Sequence, residues 1–379
     1  MPASIIYMLP AFIVVLSIVV FIHEMGHYLA GRWCGVGVKA FSIGFGKELF
    51  GWNDRHGTRW KVCLIPLGGY VKFAGDMNAA SAPNPDLDPS LSEAEKAQLF
   101  QTKPLWARAF IVVAGPIANF LLAIVIFSAL FWSNGRFVVD PIVTSVIEGG
   151  AAEEAGVEPG DIVVAIDGQA VSTFTDLQRY VSIRAEIPVV VSVDRDGEIL
   201  QLPVTPRTFD TEDGFGNPIR YGLLGVRSEP TADQRRQITY GPIAALGQGI
   251  SETGFTMSRT LTFLGEVITG RQDVQQLGGP VRIARMSGQV ATLGVTALIT
   301  FVALLSVSIG LLNLFPVPVL DGGHLMFYAI EAVRGKPLGP RATELAYAAG
   351  LMCVLGLMLF VTSNDVLFYG RQLAAHFFG

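Results

Sequence analysis

Phe21-Ile22-His23-Glu24-Met25-Gly26-His27 lies inside an apolar run, Ile5 to Ala30, in which Glu24 is the only Asp, Glu, Lys or Arg. A run of that length crosses a bilayer as a helix. In a helix, His23 and His27 fall on one face a turn apart, with Glu24 beside them. Two imidazoles at this spacing can share one Zn²⁺, and the carboxylate can take a proton from a water activated there. The same spacing arises by chance on ordinary core helices. Here, however, three ionisable groups would stand in hydrocarbon, where each is costly unless paired or metal-bound. That cost favours the metal reading.

The surrounding composition agrees. The chain has 379 residues, 51% hydrophobic and only 16% charged, with mean hydropathy +0.47. This is too apolar for a soluble enzyme and fits a polytopic membrane protein with a soluble insert. The net charge of −5 averages over two compartments and decides little. Cys34, Cys63 and Cys353 lie outside the insert and form no C-x-x-C pair, so no disulfide framework is expected. The first run lacks a basic n-region and an A-x-A-like site before position 30, and is expected not to be a cleaved signal peptide.

After the first span, Val38 to Gly46 and Trp60 to Ile65 are strand-like, and Pro66 to Phe73 follows. They read as a hairpin or small sheet. It is either a plain loop or an edge strand able to hold an extended peptide. Asp76 to Lys103 reads as a polar linker with a short helix near Ser92 to Phe100. The second apolar run, Leu105 to Trp132, contains Gly115-Pro116-Ile117-Ala118-Asn119, which predicts a kink and a polar contact between helices. In Phe137 to Val226 we expect strands at Pro141 to Val146, Asp161 to Ile166 and Val189 to Asp194. Helices are expected at Ala151 to Gly156 and Thr175 to Ile183. Ile243 to Ile268 is long enough to span, but Gln248, Glu252, Arg259 and Glu266 share one face, which favours an interfacial amphipathic helix. Further spans are expected at Val295 to Leu314 and roughly Leu345 to Phe360.

Two resemblances follow. Residues 155 to 168, Ala-Gly-Val-Glu-Pro-Gly-Asp-Ile-Val-Val-Ala-Ile-Asp-Gly, resemble a PDZ domain. A carboxylate-binding loop is found only at the far end, at Tyr221-Gly222-Leu223-Leu224-Gly225, so the domain reads as circularly permuted; otherwise that stretch is one more strand. The whole chain resembles the site-2 protease family of intramembrane zinc metalloproteases, in the branch of the bacterial regulator-of-sigma-E protease. The carriers are His23-Glu24-x-x-His27, Gly115-Pro116-x-x-Asn119, and Asn313-Leu-Phe-Pro-Val-Pro-Val-Leu-Asp321-Gly322-Gly323. The stretches Gly44-Phe45-Gly46 and Pro66-Leu67-Gly68-Gly69-Tyr70 agree too. Members of this branch often carry two PDZ domains, whereas only about 90 residues are available here.

The resemblance implies a polytopic α-helical protein with about four transmembrane helices, a small membrane-associated β-sheet and an inserted α+β PDZ domain. The expected divisions are 1–135, 136–230, 231–292 and 293–379. It implies one Zn²⁺ per chain on His23, His27 and Asp321, with Glu24 as base. Asn313 is expected to hold the substrate backbone and Asn119 to line the site, unless each is a buried amide bridging helices. Gly44, Phe45 and Gly46 would capture an unwound segment, and Tyr221 to Gly225 would bind a peptide end. His324 is expected to be structural, and His56 and His376 to lie at the surface. Residues 32 to 72 carry Arg32, Lys39, Lys47, Arg55, Arg59, Lys61 and Lys72 against Glu48 and Asp54, so this loop is expected in the cytoplasm. The N-terminus and the PDZ insert would then be periplasmic, in a bacterial inner membrane. His23, His27 and Asp321 reach similar depth only if Ile243 to Ile268 does not cross. Expected partners are lipid and membrane-tethered substrates, such as a pre-trimmed anti-sigma factor or remnant signal peptides, and no nucleic acid. A catalytically silent PDZ scaffold and a zinc transporter are the alternatives.

Overall fold

In the computed structural model the stretch from Phe21 to His27 sits near the end of one long helix, α1 (Pro2–Trp33). The structure describes residues 2–76, 91–212, 218–228, 235–271, 274 and 277–378, so half of the expected polar linker, 77–90, lies outside them. Apolar residues surround α1, yet only one stripe is covered: Val15 and Val19 are fully buried, while Ile6, Leu9, Val14 and Leu29 are exposed. A helix apolar all round and packed on one side presents its remaining face to lipid. The helix ends in a Schellman cap, with Gly35 N bonded to Arg32 O and Val36 N to Gly31 O.

The chain divides into two compact units: Met1–Phe127 with Gly249–Met257 and Gly278–Gly379, and Ser128–Gln248 with Ser258–Leu277. In the first unit, α1 leads into a long hairpin, β1 (Val38–Asn53) and β2 (Arg59–Phe73). The first half of β1 is flanked on both sides: Ala40 to Ile43 pair with Arg59 to Val62 and also with residues between Gly69 and Lys72. Phe41 stacks on Trp60, and Trp60 on Trp52, which ties the layers together. After the short helix α2 (Glu93–Lys96), capped by Ser92 and Glu95, comes α3 (Leu105–Asn134), which has Pro116 inside it.

Later helices complete this unit. They are α7 (Pro280–Thr292), α8 (Val295–Asn313), α9 (Asp321–Arg334) and α10 (Pro340–Phe378), after α6 (Pro242–Ile268). Val15 and Val19 of α1 pack with Val302 and Leu305 of α8, and Leu122, Ile126 and Ile283 lean on them. Asp365 of α10 is fully buried, and its carboxylate caps α7, accepting from Gly279 N (3.1 Å) and Arg282 N (2.9 Å). Arg108 of α3 forks onto Glu331 of α9 at 2.6 and 3.2 Å.

Among the described residues four helices are long and apolar enough to cross a membrane: Ile6–Trp33, Leu105–Asn134, Val295–Asn313 and Pro340–Leu367. The protein is a multi-pass membrane protein of mixed α/β architecture. Helix α6 is not among the four. Ile243, Leu246, Ile250, Leu261 and Ile268 form its exposed apolar face, and Gln248, Glu252, Arg259 and Glu266 lie on the opposite side.

The second unit holds β3 (Arg136–Val139), β4 (Ser145–Val146), α4 (Ala151–Glu154), β5 (Ile162–Ile166), β6 (Gln169–Ala170) and α5 (Phe174–Ser182). It continues through β7 (Val189–Arg195), β8 (Glu198–Val204), β9 (Arg207–Glu212), β10 (Pro218–Leu223), β11 (Val226–Arg227) and β12 (Arg235–Ile238). One sheet has the order β6-β5-β7-β8; the others are the pairs β10-β9, β11-β4 and β12-β3. Its core is aliphatic and centres on Val143, Val163, Ile166, Leu177, Val191 and Val193. Asp161, buried at the start of β5, is clamped by Arg195, whose guanidinium holds its pKa below the usual range.

Two expectations need correction. The strand expected over Pro141 to Val146 shortens to β4, and Ile142 makes only an isolated bridge to Ile162. Pro141 has no N–H to give a ladder. Tyr221, Gly222 and Leu223 are not loop: they form the end of β10, opposite Phe209, Thr208 and Arg207. Only Leu224 and Gly225 connect it to β11.

Candidate active site

Helices α1 and α9 bring together residues almost 300 positions apart. Asp321 Oδ2 lies 3.1 Å from His23 Nε2 and 3.5 Å from His27 Nε2, and the two Nε2 atoms are 3.3 Å apart. Ligands about 2.0–2.1 Å from a tetrahedral zinc stand about 3.4 Å from one another, so these spacings are those of three corners around one ion. His23, His27 and Asp321 are the described residues whose donors cluster for a metal. Asp321 Oδ2 is buried without a conventional hydrogen-bond partner, as an oxygen reserved for a cation would be.

The far sides of both imidazoles are held. His27 Nδ1 donates to Ile111 O at 2.9 Å, which leaves the Nε2 lone pair facing the cluster. The Asn119 amide lies 3.2 Å from His23 Nδ1 and is fully buried, and its own backbone carbonyl accepts from Ser306 Oγ. A ligating His23 keeps its proton on Nδ1, which calls for the amide oxygen on that side. Asn119 thus stands behind a candidate ligand, not on the cavity wall where the resemblance would put it. Gly115 explains the glycine before Pro116: a Cβ there would fall 2.3 Å from His27 Nε2.

A cavity of about 360 Å³ opens on the cluster, lined by His23, Glu24, His27, Asn313, Asp321 and His324 among others. Glu24 is buried, and the Val71 backbone N–H donates to its carboxylate. The end of β2 therefore runs along the catalytic side: Gly68, Gly69, Tyr70, Val71 and Phe73 line the cavity. Gly44, Phe45 and Gly46 do not line it. They turn the corner of β1, and Phe45 stacks on Tyr70 at 6.0 Å. The edge beside the site thus belongs to Gly68-Gly69-Tyr70-Val71. The adjacent glycines in the sequence were the signal for it, but register alone could not aim them. Asn313 is on the cavity wall.

At the start of α9, Gly322 and Gly323 press the first turn onto the preceding loop. Cβ atoms there would meet Leu314 O at 2.2 Å and Val317 O at 2.4 Å. Only side-chain-free residues allow this approach, and it fixes where Asp321 points.

Peptidase family M50 matches residues 11–357 of this chain. The putative zinc metalloprotease Atu1380 of Agrobacterium fabrum is 55% identical over 360 residues, which cover 95% of this chain and 95% of that protein. Metalloprotease MmpA of Caulobacter vibrioides is 40% identical over 383 residues, again 95% of each.

Proposed function

This chain belongs to peptidase family M50, and from that membership we propose that it holds one zinc ion on His23, His27 and Asp321 and hydrolyses a peptide bond in or at the edge of a substrate's transmembrane helix. The observation that carries the reading is the cluster of three donors with Glu24 on the same cavity. Zinc bound there would polarise the scissile carbonyl and acidify a water. Glu24 accepts the proton of the attacking water and delivers it to the leaving nitrogen. Val71 N–H holds the Glu24 carboxylate for that transfer. A helical substrate hides its backbone, so the bond is reached only after local unwinding. The edge at Gly68 to Val71 would pair with the unwound segment, and Asn313 would hold its backbone.

The wider assignments rest on sequence. The basic loop 32–72 would face the cytoplasm, and the N-terminus and residues 136–230 the periplasm of an inner membrane. Residues 136–230 would be a permuted PDZ domain, with Leu224 and Gly225 as its peptide-end loop. Its strand and helix order supports this, as do the carbonyls of Leu224 and Gly225 bonded to Ala152 N and Ile147 N. Substrates would be membrane-tethered proteins, such as a pre-trimmed anti-sigma factor or remnant signal peptides. A transporter would need no carboxylate base at the metal, and a silent scaffold would not keep one.

The test is Glu24→Gln in the purified full-length protein. We expect zinc content to stay at the wild-type level while cleavage of a transmembrane-segment peptide falls by about 10²-fold or more. Undiminished cleavage would remove Glu24 from the chemistry.

A further inference from the structure

His324 has no task in the account above, and its surroundings give it one. It follows Asp321 by three positions on α9, so both side chains lie on one helix face. The tight packing of Gly322 and Gly323 fixes both side chains to the same rigid turn. His324 lines the cavity that holds His23, Glu24, His27 and Asp321, yet it is not one of the clustered donors. It is therefore close to the chemistry without being a ligand.

The ring is oriented by α10. Its Nδ1 is 3.3 Å from the Tyr347 hydroxyl, and the rings of Tyr347 and Tyr328 lie against it at 5.7 and 6.5 Å between centroids. Among the described residues its Nε2 makes no hydrogen bond. Burial pushes its pKa below the ordinary histidine range, which favours the neutral ring. A neutral imidazole carries one N–H. When Tyr347 donates to Nδ1, that proton sits on Nε2, on the ring edge turned from Tyr347.

We propose that His324 is a catalytic residue whose Nε2–H donates a hydrogen bond to the oxyanion formed at the scissile carbonyl, with Tyr347 as the positioning residue that sets its tautomer. The proposal rests on the hydrolytic reading. In the step concerned, the water oxygen bonds to the carbonyl carbon, the π pair moves to the carbonyl oxygen, and the water's proton passes to Glu24. On collapse the carbon–nitrogen bond breaks and Glu24 returns the proton to nitrogen. His324 transfers no proton; it stabilises the charge while it exists.

The experiment uses the purified full-length protein, a transmembrane-segment peptide that the wild type cleaves, and a phosphinic analogue of the scissile bond. With His324→Ala, we expect kcat to fall about 10²- to 10³-fold, KM to change little and zinc content to stay at the wild-type level. Affinity for the phosphinic peptide should fall by a factor similar to kcat/KM, since only the tetrahedral analogue presents the charged oxygen. His324→Gln, which keeps an N–H donor at similar reach, should recover at least about tenfold of the lost kcat. Tyr347→Phe should lower kcat by about tenfold at unchanged KM. Unchanged kcat in His324→Ala overturns the proposal, as does lost zinc or a loss confined to KM. A fall in kcat with undiminished phosphinic affinity also overturns it. If the wild type neither cleaves the peptide nor binds its phosphinic analogue, the hydrolytic reading falls first and this proposal falls with it.

Discussion

Each donor at the metal cluster is aimed by a neighbour with no freedom to move. Ile111 O fixes one imidazole and the Asn119 amide the other, while the glycines after Asp321 fix the carboxylate. Gly115 is the most exposed point of this arrangement to mutation. A methyl group there would overlap His27 Nε2, so Gly115→Ala should push the ring off the site. We expect zinc affinity to fall about 10- to 100-fold, the range typical of disturbing a ligand's support, with helix content unchanged. Competition with a chelator measures it; wild-type zinc retention would mean that α1 and α3 part without cost. At this scale the sequence was informative where contacts are local. The spacing of His23, Glu24 and His27 carries its own geometry. Asp321 came only through family resemblance, because nothing in spacing links positions 27 and 321. His324 was read as structural, since a lone histidine after two glycines does not reveal that a cavity lies beside it.

Among the elements, the hairpin of β1 and β2 connects the loop to the site. Its tip is organised by Asp54. Desolvation raises the pKa of this carboxyl, but bonds from Trp60 Nε1, Thr58 N, His56 N and the Tyr28 hydroxyl outweigh that and bring it down to about 2. A depressed folded-state pKa means that the stabilisation is complete above the ordinary carboxylate range and is lost as pH falls through the folded value. The tip should hold above about pH 4 and loosen between about pH 4 and 2. Hydrogen exchange at the Thr58 and His56 amides should accelerate in that window in the wild type. Asp54→Asn should exchange fast at every pH, and pH-independent protection in the wild type would refute the assignment. The strands of this hairpin were legible from composition, but the edge that meets Glu24 was not. A shift of one residue exchanges the two faces of a strand, and Ala40 to Ile43 pair on both sides. Likewise the hairpin of β9 and β10 was missed because Arg207 to Glu212 has no strong apolar face, and the PDZ resemblance made Tyr221 to Leu223 read as loop.

For the molecule as a whole, the question is how many times the chain crosses the membrane. Four spans were legible because twenty apolar residues leave few options. Helix α6 is the ambiguous one, apolar on its exposed face and polar on the other. If it crossed, Asp321 would emerge on the side opposite His23 and His27, which the metal cluster forbids. We therefore expect α6 to lie along the membrane. Single cysteines at Gln237 and Asp273, in a background without Cys34, Cys63 and Cys353, should both react with an impermeant thiol reagent on spheroplasts. Reaction of Asp273→Cys only after permeabilisation would mean that α6 spans.

The central claim is that two distant segments share one metal, and the metal content of purified Asp321→Ala tests it most directly. The wild type should hold about one zinc per chain, because three protein ligands and an open position make a catalytic site. Asp321→Ala should lose most of that zinc while remaining folded, with two histidines too few to retain it. Full zinc occupancy in Asp321→Ala would take Asp321 out of the metal's shell and contradict the account.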